Sequence, residues 1–142
     1  MCFDRTTNYK ISPGITCFKA MYFRNGKLIP EFHTHLKYEL GDTIYAASIP
    51  DIKLPFKYWF KKKDFRQNFK KKLAAQYIDD AWYSELGKEV VHSFSSKERA
   101  NLWSRGEPLV IVECLIPEGE IYWENKDAQQ YASFSVKLIR II

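Results

Sequence analysis

Apolar and polar positions first fall into a clear pattern at Ile15-Thr16-Cys17-Phe18-Lys19-Ala20-Met21-Tyr22-Phe23, a β-branched and aromatic run between Ser12-Pro13-Gly14 and Asn25-Gly26. Such a run between turn residues predicts a strand. Asn-Gly is the preferred pair for a type I′ hairpin, because both central residues take positive φ, so Leu28-Ile29 begins a returning strand that Pro30 stops or marks as an edge. Gly41-Asp42 then turns the chain into Thr43–Ile49, a further strand ended by Pro50. Glu89–Phe94 reads as a short strand. Leu109–Ile116, the most apolar run, reads as a central strand closed by Pro117-Glu118-Gly119. Ile121-Tyr122-Trp123 is expected to pair with it as a hairpin. Ser133–Ile142 supplies a terminal strand in which Lys137 and Arg140 break strict alternation, with the C-terminal strands pairing back against the first.

Two stretches follow the helical period instead. Phe65, Phe69, Leu73 and Tyr77 recur every four residues, extended by Ile78 and Ala81, and Asp64 with Gln67 forms a capping box at the start. Lys70, Lys71 and Lys72 fall mostly on the side away from that stripe. Ser95 with Glu98 opens a second, shorter helix through Ala100, Leu102 and Trp103 to a stop at Gly106. The expected class is therefore α+β: one domain over residues 1–142, mainly antiparallel sheet with two helices, the longer one basic, amphipathic and part of a helical insertion at about 50–87.

Composition supports a folded chain. With 142 residues, 46% hydrophobic and 16% aromatic, it has the apolar content that disordered segments lack. No run approaches the length needed to cross a bilayer, and the first residues lack the apolar core of a signal peptide, so a cytoplasmic location is expected. The net charge of +5 is unevenly spread. Residues 57–72 hold eight cations (Lys57, Lys61, Lys62, Lys63, Arg66, Lys70, Lys71, Lys72) against Asp64 alone, a local +7 that leaves 14 cations and 16 anions elsewhere.

That stretch also carries the candidate chemistry. Lys57-Tyr58-Trp59-Phe60-Lys61-Lys62-Lys63-Asp64-Phe65-Arg66 interleaves cations with rings. Cations neutralise phosphates and release counterions, and exposed rings stack on unpaired bases, so the composition suits contact with nucleic acid or an acidic protein surface. The candidate partner-binding residues are Lys57, Tyr58, Trp59, Lys61, Lys62, Lys63, Arg66, Lys70 and Lys71. The competing reading makes the rings core and the lysines a solvated face; a basic face laid on anionic lipid is a minor variant.

Elsewhere the signals are structural. Cys2, Cys17 and Cys114 are odd in number and widely spaced, without a CxxC pair, and Cys17 and Cys114 sit in apolar runs as buried thiols. His33 and His35 would share a face of an extended segment and could begin a metal site, but no third ligand is evident nearby, so no metal is assigned. His92 and Ser93, adjacent on a strand, point to opposite faces and cannot pair as base and nucleophile. The six glycines form neither a Walker loop nor a dinucleotide fingerprint, and no cofactor is implied.

Five phrases, Cys17-Phe18-Lys19, Tyr38-Glu39-Leu40-Gly41, Val91-His92-Ser93-Phe94 before a helix containing Ala100, Val112-Glu113-Cys114-Leu115-Ile116-Pro117-Glu118-Gly119, and Tyr131-Ala132-Ser133, occur in an order that resembles small proteins of unknown function from gut Bacteroidetes and their phages. The likeness spans most of the chain outside about residues 50–87. It implies a phage or mobile-element origin and no activity. A weaker resemblance is to the split-sheet fold of ADP-ribosyltransferases, whose catalytic pattern is missing; the nearest residues are Lys19, Ser93 and Glu113. The leading expectation is a non-enzymatic binding or accessory protein engaging an anionic partner through its basic segment. The alternatives are an enzyme with a degenerate ADP-ribosyltransferase-like fold, which needs a pocket lined by those three residues, and a structural virion component.

Overall fold

The structure, a computed structural model, describes residues 9–30, 36–46, 67, 68, 71, 90–104, 109–125 and 129–142. The strands are β1 (Lys10–Ile11), β2 (Ile15–Arg24), β3 (Lys27–Pro30), β4 (Thr43–Tyr45), β5 (Val91–Phe94), β6 (Leu109–Ile116), β7 (Ile121–Asn125), β8 (Gln130–Ser133) and β9 (Ser135–Ile141), with one helix, α1 (Lys97–Ser104), described from end to end. All nine strands join one antiparallel sheet in the order β1-β7-β8-β5-β2-β6-β9-β4, with β3 alongside β2.

This corrects the α+β expectation. Strand pairing alone builds the architecture, and the helix is an eight-residue appendage. α1 packs over β2, β6 and β5 and buries only Ala100 completely among its described side chains, while Leu102 faces solvent. An isolated helix of two turns is too short to supply a layer of the architecture. Of the longer basic helix, only Gln67, Asn68 and Lys71 are described, and all three have helical backbone; the rest lies outside the described residues.

β2 organises the sheet. Along one edge it pairs with β6 over eight residues, from Ile15↔Ile116 to Tyr22↔Leu109. Its other edge is shared. β3 takes Met21–Arg24 through the Asn25-Gly26 hairpin, whose positive φ values of 54° and 77° meet the expected turn, and β5 touches β2 only at Phe18↔Phe94. The sheet therefore splits into a wing of β1, β7, β8 and β5 and a wing of β2, β3, β6, β9 and β4. The Lys19 ammonium donates to His92 O across the seam.

Besides the longer connections on either side of β5, the chain crosses between the wings by three short connections, at Ser12–Gly14, at Pro117–Glu120 and at Phe134. The second crossing overturns the expected β6–β7 hairpin: Gly119 takes a φ of 85° in a turn closed by Glu120 N to Pro117 O, and β7 then pairs with β1 and β8. A buried polar cluster fastens all three crossings. Ser12 N donates to Glu120 O and Gly119 N to Ser12 O, each at 2.8 Å, while Ser12 Oγ donates to Ile116 O at 3.1 Å. The Glu120 carboxyl group accepts from Ile121 N at 3.0 Å and from the Ser135 hydroxyl. Phe134, fully buried, meets Trp123 edge-on with ring centroids 5.4 Å apart.

The main core gathers Cys17, Met21, Val112, Cys114, Ile116, Trp123, Phe134, Val136 and Leu138 with residues from most of the other strands. β9 carries a bulge. Leu138 opposes Cys114 and Arg140 opposes Glu113, leaving Ile139 unpaired. That extra residue brings Lys137 and Arg140 onto one face and explains their broken alternation. Arg140 forks onto Glu113, with Nε to Oε2 at 3.1 Å and Nη2 to Oε1 at 3.2 Å. At α1 the N-cap is Ser96, whose Oγ accepts from Arg99 N at 3.2 Å, so the cap falls one residue beyond the expected Ser95.

Glu120→Ala is expected to lower unfolding free energy by about 3 kcal/mol, because it strands buried donors at the crossings. Glu113→Ala, which removes a partly exposed pair, should cost about 1 kcal/mol or less. Urea denaturation of the two variants beside the parent chain checks the ranking.

Candidate functional site

The structure describes little of the basic segment. Lys57, Tyr58, Trp59, Lys61, Lys62, Lys63, Arg66 and Lys70 lie outside the described residues, as do His33 and His35. Lys71 is helical and exposed. One turn earlier, half-buried Gln67 donates from Nε2 to Gly119 O at 3.1 Å, which fastens the segment to the turn between β6 and β7.

Lys19, Ser93 and Glu113 do not converge. Glu113 opposes Phe18, and Lys19 opposes Val112, so strand alternation sends the Lys19 and Glu113 side chains to opposite faces. Ser93 shares the Lys19 face, since Phe94 opposes Phe18. Glu113 is engaged instead by Arg140 on the far side.

What register brings together is a pair of thiols. Cys17 and Cys114 stand directly opposite one another on β2 and β6, both fully buried and neither in a disulfide. No spacing rule could reveal this pairing; it follows only once the two apolar runs are aligned as neighbours. Ser93 is fully buried near Cys17, and its Oγ makes no hydrogen bond. Cys114 Sγ donates to Val112 O at 3.4 Å.

The neighbouring Cys114 thiol is the largest influence holding the Cys17 pKa below that of an ordinary thiol, against the opposing effect of burial. The Ser93 hydroxyl, the Lys19 charge and the backbone at Ile116 act in the same direction. Cys114 is pushed up, chiefly by donating to Cys17 and then by burial. The pair is thus asymmetric, with Cys17 as the site of negative charge and Cys114 as its proton donor. Among the described residues, no group of three or more His, Cys, Asp or Glu is placed to hold a metal ion. No described helix is long and apolar enough to cross a membrane.

Beside this pair, Tyr122 and Tyr131 meet edge-on with centroids 5.9 Å apart on neighbouring β7 and β8. Burial raises both phenol pKa values, and Glu124 adds to the rise in each. No family model, curated protein or solved structure matches the chain.

The raised phenols fix a direction for alkaline stability. An unfolded chain ionises its tyrosines near their ordinary value of about 10, while the folded chain still holds these two protonated. Their contribution is complete below that pH and is lost as pH rises toward the folded values. The urea midpoint should fall between about pH 9 and about pH 11, and Tyr131→Phe should make the fall shallower.

Proposed function

We propose that the protein is a non-enzymatic binding module, an accessory protein of a phage or mobile element, that engages an anionic partner through residues 57–72. The observation that carries this reading is the local charge of +7 interleaved with Tyr58, Trp59 and Phe60, beside a remainder with 14 cations and 16 anions. A uniformly basic protein would bind polyanions through its whole surface, whereas this division of charge restricts the contact to one segment. The exposure of Lys71 and the anchoring of Gln67 on Gly119 support the assignment of the sheet as scaffold and the segment as contact. Nucleic acid is the first partner to test, since rings among cations serve unpaired bases as well as phosphates.

Titration with single-stranded and duplex DNA at two salt concentrations checks the proposal. Binding should weaken as salt rises, and the combined change of Lys61, Lys62, Lys63 and Arg66 to Ala should flatten the single-strand salt slope by roughly 3 on a log–log plot. Absence of binding at low salt, or an unchanged slope in the variant, would refute a nucleic-acid partner.

A further inference from the structure

We propose that Cys17 and Cys114 are a redox-reactive dithiol that a hydroperoxide converts into a disulfide joining β2 to β6. Directly opposed residues of antiparallel strands hold their Cα atoms about 4.5–5.5 Å apart, within the roughly 4.4–6.8 Å that a disulfide spans. Their Cβ atoms, at about 4.5–5.5 Å, need a small approach to reach the roughly 3.5–4.5 Å of the bridged state. The bridge therefore forms without rearranging the fold, yet under enough strain to be reducible again.

Access and activation come from the same seam. β5 meets β2 through a single residue pair, Phe18↔Phe94, next to Cys17, and Ser93 directly precedes Phe94 on β5. The least paired junction of the sheet therefore lies one residue from Cys17, and its local opening admits a molecule as small as a peroxide. Ser93 contributes a buried hydroxyl that makes no hydrogen bond and lies close enough to Cys17 to favour its ionised form.

The reaction balances with peroxide as oxidant. Cys17 thiolate attacks one peroxide oxygen, forming an S–O bond as the O–O bond breaks, and the departing hydroxide takes up the thiol proton as water. Cys114, deprotonated in turn, displaces hydroxide from the Cys17 sulfur, forming S–S and releasing a second water. Two electrons pass from the sulfurs to the peroxide.

A Cys2→Ala background leaves only these two thiols. Treated in its reduced native state with a few equivalents of hydrogen peroxide, it should lose both thiols together and the mass of two hydrogens, give a non-reducing peptide map linking Cys17 to Cys114, and recover both with dithiothreitol. Survival of the thiols, or oxidation to sulfinic acid without the cross-link, overturns the proposal, and this experiment needs no change at either site. In the same background, with both thiols intact, dimedone present during oxidation should trap sulfenic acid on Cys17 faster than on Cys114; equal or reversed trapping overturns the order of attack. The Cys17 rate should rise with pH around a midpoint below that of an unperturbed thiol. Ser93→Ala should slow it, and an unchanged rate removes Ser93 from the site.

Discussion

The chain passes between two wings of one sheet five times, and the three short passages, β1 to β2, β6 to β7 and β8 to β9, take backbone amides and carbonyls out of regular pairing inside a buried region. Unpaired groups there would each cost on the order of 1–3 kcal/mol, so the crossings exist only because something else satisfies them. Ser12, Glu120 and Ser135 do this together. Ser12 uses both backbone groups and its hydroxyl on the β6–β7 connection, and Glu120 reaches from that connection to the start of β9. A polar triad that is nearly free of solvent thus sets where β1 ends, where β6 hands over to β7, and where β8 becomes β9.

Fixing those points also fixes the seam. Once β5 is held by β8 in one wing and β2 by β6 in the other, the two can meet only where the wings touch, at Phe18↔Phe94. Lys19 fills the gap by donating to His92 O, replacing a ladder bond with a side-chain one. The same charge lies near Cys17 and favours its ionised form. The chemistry of the thiol pair is therefore a consequence of how the sheet divides.

Local pattern made much of the secondary structure legible. Ile15–Phe23, the Asn25-Gly26 turn, Leu109–Ile116 and the buried state of Cys17 and Cys114 all follow from periodicity and turn chemistry, whereas the broken alternation of Lys137 and Arg140 is visible in the pattern and its cause, the bulge at Ile139, only in the strand register. The failures arose where partners had to be chosen. Ile121–Trp123 follows Leu109–Ile116 across a short turn, which favours a hairpin, and only the long-range bonds from Ser12 turn β7 away to β1 and β8. The α+β expectation counted two helices, while strand pairing carries the architecture and, among its described side chains, α1 buries only Ala100 completely. Cys17 and Cys114 could be read as buried separately, but facing one another is a property of register.

The turn at Pro117–Glu120 also relates the body to the basic segment. Its backbone is spent on both sides: Gly119 N goes to Ser12, Glu120 O receives Ser12, and Gly119 O receives Gln67. A type II geometry with Gly at the positive-φ position leaves that last carbonyl available outside the ladder. The residues that hold the wings together and the residue that moors the cationic stretch therefore meet at one turn. Gln67 suits this mooring because an uncharged amide donates to a carbonyl and takes no charge from the segment to do so.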